Sequence, residues 1–580
     1  MQMGDGMFFT PKSKKRKETQ NGLPWWKTRT VYQIYPRSFC DSNGDGIGDL
    51  KGIISKLDYL ADLGIGIIWL SPVYCSPNDD NGYDISDYRN IHPDFGTLSD
   101  MKRLISEAKK RDIKIVMDLV INHTSDEHEW FKQSRSGIDN PYRDYYIWQS
   151  GKDGKMPNNW TSFFSGPVWE KDEMTGQYYL HLFSKKQPDL NWKNPKVMQE
   201  IQSILKYWLD MGIAGFRCDV INVIYKTSLK NGKKRLILTG REHYLSQQGC
   251  HSILRELRRT VFSNYDCFTV GETVLVTPAM ANDLCGESRG ELDMVFSFAH
   301  MDADSINNKW LKIPFKPERL FSVLAKWQNE VGWNANYFEN HDQPRTVSRY
   351  GSFTGSLEEL NKPGAKDALE RFAKLTACML FTLKGTPYVF EGQELGMTNG
   401  DFTRIEDFRD LETFNIYRLM RKMHFPGKTA WKLILKTSRD NARTPMQWSA
   451  EKEAGFTTGK PWIGVNENYR YINAQEQRAR PDSVFAFYKK LIALREQSPA
   501  LLNGAFKRIK SPKDVFAYTR TLSEQNCLVL LNFNAKDVRL NKELQTFLAS
   551  RAVKILYANT EHDPASGILQ AHQACIMEYR

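Results

Sequence analysis

Short runs of β-branched and apolar residues recur along the chain, separated by stretches whose apolar residues return at helical spacing. The runs are TVYQIYPRSF, GIGIIWLSPVY, IKIVMDLVINH, IAGFRCDV, FTVGE, DMVFSF, NYFENHD and TPYVFEGQE. Eight strands alternating with helices predict an α/β fold, a closed parallel (β/α)8 barrel. One helix between the third and fourth runs is plain. Asn194 suits its N-cap, Pro195 its first turn, and Val197, Ile201, Ile204, Leu205 and Trp208 its buried stripe. A second is expected from Ile53 to Leu63, stopped by Gly64.

Two gaps exceed what a simple connection needs. Residues 123–190, rich in Trp, Tyr, Phe, Gly and Asn, read as a small domain inserted after the third strand, and residues 400–465 as a second excursion after the eighth. Long loops at one end of a barrel usually build the binding site. From about residue 500 the pattern changes to strands such as DVFAYTR and NCLVLLNFN without intervening helices, as in an antiparallel β domain. The expected organisation is a basic tail over 1–24, a barrel over 25–122 and 191–499, the insertion between them, and a β domain over 500–580.

Composition narrows the partners. The net charge of +12 comes from 80 basic against 68 acidic residues mixed along the chain, and no nucleic-acid reader motif accompanies it, so no nucleic acid is expected. The main basic run, KSKKRK at 12–17, reads as a solvated terminus. Neither a secretory signal nor an apolar stretch of about 18 residues is present, which predicts no membrane and a cytoplasmic location. Nine scattered cysteines without a C-x-x-C pair argue against a disulfide framework or a zinc site, and Cys218 reads as a core thiol.

The candidate chemistry sits at strand ends. In GFRCDVIN, Arg217 stands two positions before Asp219, so both side chains point to one face, and a permanent cation favours an ionised, nucleophilic carboxylate. Glu272 in FTVGET, and His341 and Asp342 in YFENHDQPR, end two further strands, at the face where barrels place active sites. Retaining glycosidases need one ionised carboxylate and one protonated carboxyl about 5 to 5.5 Å apart. Asp219 suits the first role. Glu272 follows an apolar strand without an adjacent cation, so burial is expected to raise it toward a general acid.

With DLVINH at 118–123, QPDLNW at 187–192 and ENHD at 339–342, these motifs resemble the α-amylase family of glycoside hydrolases, in its oligo-1,6-glucosidase and α-glucosidase branch, from about residue 25 onward. The resemblance implies Asp219 as nucleophile, Glu272 as acid/base and Asp342 as the residue that holds the sugar 2- and 3-hydroxyls. It implies that His123 and His341 hydrogen-bond the same ring, and that Arg217 orients the nucleophile. Tyr83 and Asp84 match the platform and acidic residue of that subsite, and Arg443 in NARTPMQW the arginine that closes it. Asp84 and Arg443 would clasp the terminal 4-hydroxyl, giving a blind pocket that releases single glucose units. Phe163 and Phe183 stand as walls of that pocket or as core, while Asp118 and Asn122 brace the site.

Val220, after the nucleophile, accompanies α-1,6 cleavage in this branch where threonine accompanies α-1,4; the alternative is a β-favouring residue and nothing more. The segment NGKKRLILTGREHYLSQQGCH departs from the branch's pattern and leaves the outer subsites open. The implied activity is exo-acting retaining hydrolysis of isomaltose, isomaltotriose and panose by a monomer or weak homodimer. Sucrose isomerases are rivals, but HMDADSINNKW stands where they carry an RLDRD-type loop. Trehalose-6-phosphate hydrolases share the valine, and a catalytically inactive amylase-like scaffold is the rival from outside the enzymes. In DSNGDGIGDL, Asp41, Asn43, Asp45, the Ile47 carbonyl and Asp49 have the spacing of the first nine positions of a calcium loop, with Gly52 where an EF-hand needs glutamate. A structural Ca²⁺ or Mg²⁺ is expected there, with no cofactor for catalysis.

Overall fold

Eight short strands form the parallel sheet: β1 (Val31–Ile34), β2 (Ile67–Leu70), β3 (Lys114–Leu119), β4 (Gly215–Cys218), β5 (Phe268–Thr273), β6 (Met294–Ser297), β7 (Ala335–Asn336) and β8 (Thr386–Phe390). The computed structural model describes residues 22–580 except 153, 236 and 307, so KSKKRK lies outside the described residues. The strands hydrogen-bond in the order β6-β5-β4-β3-β2-β1-β8-β7, every pair parallel. β6 and β7, at the two ends of that order, meet through side chains. The Tyr337 hydroxyl donates to the Ser297 carbonyl at 3.0 Å, and the Phe296 and Tyr337 rings stand edge to face. The sheet is a near-closed barrel.

Alternation along the strands explains where the chemistry falls. Ile67 and Trp69, Val116, Phe268 and Val270, Met294 and Phe296, and Tyr388 share one interior cluster, while Ile68, Leu70, Ile115, Met117, Val295 and Val389 pack outward with the helices. Two positions past Val116 is Asp118, and two past Val270 is Glu272, so the inward rows turn from apolar to charged at their C-terminal ends. On β4 the row is Gly215, Arg217 and then Asp219. Gly215 has φ +150, and a Cβ there would lie 2.0 Å from the Phe268 carbonyl oxygen, so the approach of β4 to β5 requires glycine.

Three expectations need correction. NYFENHD is a strand only at its first residue, because beyond Asn336 a local turn competes with the ladder: Asn340 Oδ1 accepts from the Asp342 N–H and its carbonyl from Gln343 N–H. The helix expected over 53–63 is two helices, Leu50–Ser55 and Leu57–Leu63, parted at Lys56 (φ −108, ψ 5); Gly64 ends the second at φ +95. A helix, Lys542–Ala549, does interrupt the C-terminal strands, because Leu544 and Leu548 form a one-turn stripe that packs on Leu528 and Leu530.

The helix Pro195–Met211 starts at Asn194, whose side chain accepts from Lys196 N–H, and stops at left-handed Gly212. Within 123–190, a three-stranded antiparallel sheet joins Trp148–Gln149, Tyr178–Leu180 and Trp169–Lys171, and a bridge pairs His123 with Asp189 at its two ends. The C-terminal sheet is antiparallel: β9 (Ala505–Ile509), β10 (Val515–Leu522), β11 (Gln525–Asn532), β12 (Val553–Ala558) and β13 (Ala574–Tyr579), in the order β9-β10-β11-β13-β12. All nine cysteines are free thiols, and Cys218 is buried. Among the described residues no helix is long and apolar enough to cross a membrane.

Candidate active site

One guanidinium organises the floor of the barrel's C-terminal face. Arg217 Nη1 lies 2.5 Å from Asp118 Oδ1 and 2.5 Å from Asp219 Oδ1, and its Nη2 lies 2.8 Å from Glu272 Oε1. Trp69 Nε1 donates to the second Asp118 oxygen at 2.9 Å, and the Trp69 and Tyr83 rings flank the guanidinium. The expectation that Glu272 has no adjacent cation is therefore corrected: β4 and β5 are neighbours, and Arg217 reaches across their ladder.

Three carboxylates around one cation leave excess negative charge, and the effect on Asp219 runs against the simple pairing argument. Burial pushes its carboxyl well above the ordinary range; Arg217 pulls it down, and the charges of Glu272 and Asp118 push it up again. Asp118 rises by burial to about 6. Asp342 behaves oppositely: although burial opposes ionisation, His341, Arg439 and Arg443 hold it well below the usual carboxylate range. Arg439 Nη1 stands 3.2 Å and Arg443 Nη2 3.0 Å from its Oδ1, and His341 Nε2 3.3 Å from Oδ2. His341 is stacked between Tyr35 and Tyr83, with Gln33 on its Nδ1 at 2.8 Å, and burial lowers it to about 3.

A pocket of about 110 Å³ opens over these groups. Of the expected residues it is lined by Tyr83, His123, Phe183, Asp219, Val220, Glu272 and Asp342, drawn from six separate stretches of chain, and Arg217 lies beneath them. It is also lined by Asp80, Phe164, Val274 and Arg439, which the sequence reading did not single out.

Those additions correct three assignments. Asp84 does not line the pocket: it is fully buried and accepts from Ser76 Oγ and from the Asp79 and Asp80 N–H groups at 2.9 to 3.1 Å, so it braces the loop. The carboxylate this brace presents is Asp80, whose Oδ1 lies 3.5 Å from Arg439 Nη2. Arg443 is likewise behind the wall, donating from Nε to the His341 carbonyl at 3.0 Å. Arg439, one helical turn earlier, reaches the pocket, held by Asp410 at 2.7 Å. Each stands four residues before the one expected, Asp80 before Asp84 and Arg439 before Arg443. Phe163 stacks on the far side of Phe183 at 4.8 Å, and Phe164 takes the lining position beneath Arg439.

Val220 has no strand to favour, because β4 ends at Cys218. It sits at φ 35, ψ 40, a left-handed conformation that costs a β-branched residue about 1–3 kcal/mol. Its N–H donates to Glu272 Oε2 at 3.2 Å, and its side chain packs with Trp160, Val223 and Tyr244. Residues of the divergent segment NGKKRLILTGREHYLSQQGCH lie on this cluster: Tyr244 belongs to it, and His243 stacks on the Trp160 ring.

Asp41, Asn43, Asp45, Ile47 and Asp49 form a separate loop, outside the pocket lining, that ends with Asp49 as N-cap of Leu50–Ser55. Gly44 and Gly46 turn it at φ +84 and +91. Among the described residues no three His, Cys, Asp or Glu side chains stand together as a metal cluster.

Residues 33–504 match the model of the alpha amylase catalytic domain. The chain is 52% identical over 525 residues to an oligo-1,6-glucosidase of Parageobacillus thermoglucosidasius, covering 88% of this chain and 91% of that protein. It is 48% identical to an oligo-1,6-glucosidase of Bacillus cereus, over 96% of this chain and 99% of the other. A crystal structure of Bacillus licheniformis trehalose-6-phosphate hydrolase in complex with PNG superposes with a TM-score of 0.89 at 42% identity, over 96% of this chain and 100% of that one. With its barrel, its carboxylate cluster and these likenesses, the chain belongs to the alpha-amylase family.

Proposed function

We propose that the protein is an exo-acting retaining α-glucosidase that cleaves the α-1,6 bond at the non-reducing end of isomaltose, isomaltotriose and panose. The observation that carries this reading is the grip of one guanidinium on both Asp219 and Glu272 at the pocket floor. Such a grip keeps the two carboxyl groups close, as double displacement requires. An Asp219 oxygen attacks the anomeric carbon while Glu272 gives its proton to the departing glycosidic oxygen, which leaves a glucosyl ester on Asp219. Water then attacks the same carbon, Glu272 takes the water's proton, and the ester bond breaks to restore Asp219. Asp342, ionised by its cationic neighbours, accepts hydrogen bonds from the ring hydroxyls and opposes the positive charge of the transition state.

Asp80 and Arg439 take over the part first expected of Asp84 and Arg443: they offer one acceptor and one donor to a terminal hydroxyl. A blind pocket of this size suits one sugar ring, hence single glucose units as product. Val220 and Val274 present methyl groups beside the acid, which supports the α-1,6 preference, as do the two oligo-1,6-glucosidases. The enzyme would act in the cytoplasm as a monomer or weak homodimer. A chromatogram of products from isomaltotriose, panose, sucrose and trehalose 6-phosphate tests the reading. Glucose from the first two is expected; turnover confined to trehalose 6-phosphate, or sucrose converted to an isomer, would overturn it.

The loop from Asp41 to Asp49 is proposed as a structural Ca²⁺ or Mg²⁺ site. Its donor set is all oxygen, which suits a hard cation. Asp41, Asn43 and Asp45 each use side-chain oxygens to accept from backbone N–H groups of the loop at 2.8 to 2.9 Å, so the carboxylates are pre-oriented and keep spare lone pairs. A cation there would tie β1's loop to Thr457, whose hydroxyl meets Asp41 Oδ2 at 2.5 Å.

A further inference from the structure

Behind the pocket wall, Lys226 is only 4% exposed and reaches two side-chain partners. Its Nζ donates to Asn122 Oδ1 at 2.8 Å and pairs with Asp189 Oδ2 at 2.5 Å. None of the three lines the pocket. An ammonium has protons and no lone pair, so the Asn122 atom that faces it must be the carbonyl oxygen. That choice turns the Asn122 amide nitrogen toward His123 Nδ1, 3.1 Å away. An amide NH2 only donates, so Nδ1 must accept, and the proton of the neutral ring sits on Nε2. Nε2 stands 3.1 Å from the Tyr83 carbonyl oxygen, an acceptor that fits that proton.

Gln187 Nε2 is also 3.1 Å from His123 Nε2. Its protons, however, have acceptors in Asp80 Oδ2 at 3.2 Å and the Tyr83 carbonyl at 3.4 Å. Its amide cannot turn round, since its Oε1 accepts from Ser184 N–H at 3.0 Å. Asp189 in turn is held by Leu182 N–H on its Oδ1 at 3.0 Å. The cation is therefore fixed from the insertion, at the point where its ends pair.

We propose that Lys226 is a positioning residue: through Asn122 it locks His123 in the Nε2–H tautomer, so that the imidazole donates to the Tyr83 carbonyl and pins the pocket-lining Tyr83 in place. Burial lowers the His123 imidazole to about 4, so near neutral pH the ring's variable is its tautomer and not its charge. Without the lysine, Asn122 is free to turn its oxygen to Nδ1, and the ring takes the other tautomer, in which Nε2 accepts from Gln187 Nε2 and its bond to the Tyr83 carbonyl is lost.

Ring ¹⁵N chemical shifts of histidine-labelled enzyme report the tautomer directly, with His123 assigned by the signals lost in His123→Gln. The wild-type ring is expected to be protonated on Nε2. In the double variant Lys226→Met/Asp189→Asn, which leaves no buried carboxylate unpaired, Nδ1–H is expected to appear, with kcat/KM on isomaltose lower by about 10- to 100-fold. An Nδ1–H ring in the wild type, or a folded double variant that keeps Nε2–H alone, overturns the proposal. The wild-type spectrum decides without any variant, so poor folding of the double variant cannot shelter the idea. Only the kinetic arm rests on the glucosidase reading: an Nε2–H ring in a protein that does not turn over isomaltose would sink that reading and leave this one standing.

Discussion

Replacing Asp80 with Asn should cost activity while stabilising the fold, whereas replacing Asp84 with Ala should destabilise it. Burial pushes the Asp80 carboxyl from its ordinary value of 3.8 up to about 7, with Arg439 only partly opposing. A carboxyl whose folded value is raised stabilises the fold only while it is protonated, and that contribution is lost as pH rises through about 7. At about 1.4 kcal/mol per pH unit, keeping Asp80 ionised at pH 8 costs the fold at most about 4 kcal/mol. Asp80→Asn removes that cost, so its melting temperature should exceed wild type at pH 8 by a few degrees and match it near pH 4. The same change removes a charged acceptor from the pocket, worth about 1.5–3 kcal/mol, or roughly a 10- to 150-fold fall in kcat/KM. Arg439 keeps Asp410 and Asp342, so the wall should not collapse. Asp84→Ala instead strands three donors, two of them buried, at a cost of about 3 kcal/mol or more. Melting curves at pH 4 and 8, with initial rates on isomaltose, separate the two. The reasoning fails if Asp80→Asn keeps wild-type kcat/KM, or if its melting temperature falls at pH 8.

Asp219→Asn should lower kcat by at least about 10⁴-fold without lowering the melting temperature, since it removes one of three like charges around Arg217; a rate within tenfold of wild type would refute the nucleophile. Val220→Thr should shift the isomaltose to maltose ratio of kcat/KM toward maltose by about tenfold, with stability unchanged because both residues are β-branched at the same left-handed backbone. A ratio that stays put would show that linkage is read elsewhere. The kcat/KM profile should be bell-shaped, because double displacement needs one carboxylate ionised and one carboxyl protonated. In Glu272→Gln, assayed on a nitrophenyl α-glucoside whose leaving group needs no proton, the alkaline limb should vanish; its persistence would assign that limb to another group. Chelation should lower the melting temperature and leave kcat at 25 °C unchanged, read by scanning fluorimetry and initial rates, since no residue of the loop from Asp41 to Asp49 lines the pocket.

The barrel was legible because its signal is local: β-branched runs at strand length, helices with readable stops such as Asn194 and Gly212, and an inward row that turns charged at Asp118, Arg217 and Glu272. Strand alternation alone aims Arg217 and Asp219 the same way, and strand ends alone bring Glu272 and Asp342 to one face. What the chain could not disclose is which of two neighbouring like residues faces the pocket. Asp80 and Asp84, Phe163 and Phe164, and Arg439 and Arg443 are separated by how loops from distant parts of the chain seat against one another. The same holds for charge. Two residues apart in sequence, Arg217 and Asp219 read as a simple ion pair; folding buries Asp219 and brings Glu272 and Asp118 onto the same guanidinium, and the balance on Asp219 reverses. Periodicity is a property of a few adjacent residues, whereas a pocket wall and a proton's residence depend on groups that only the closed barrel makes neighbours.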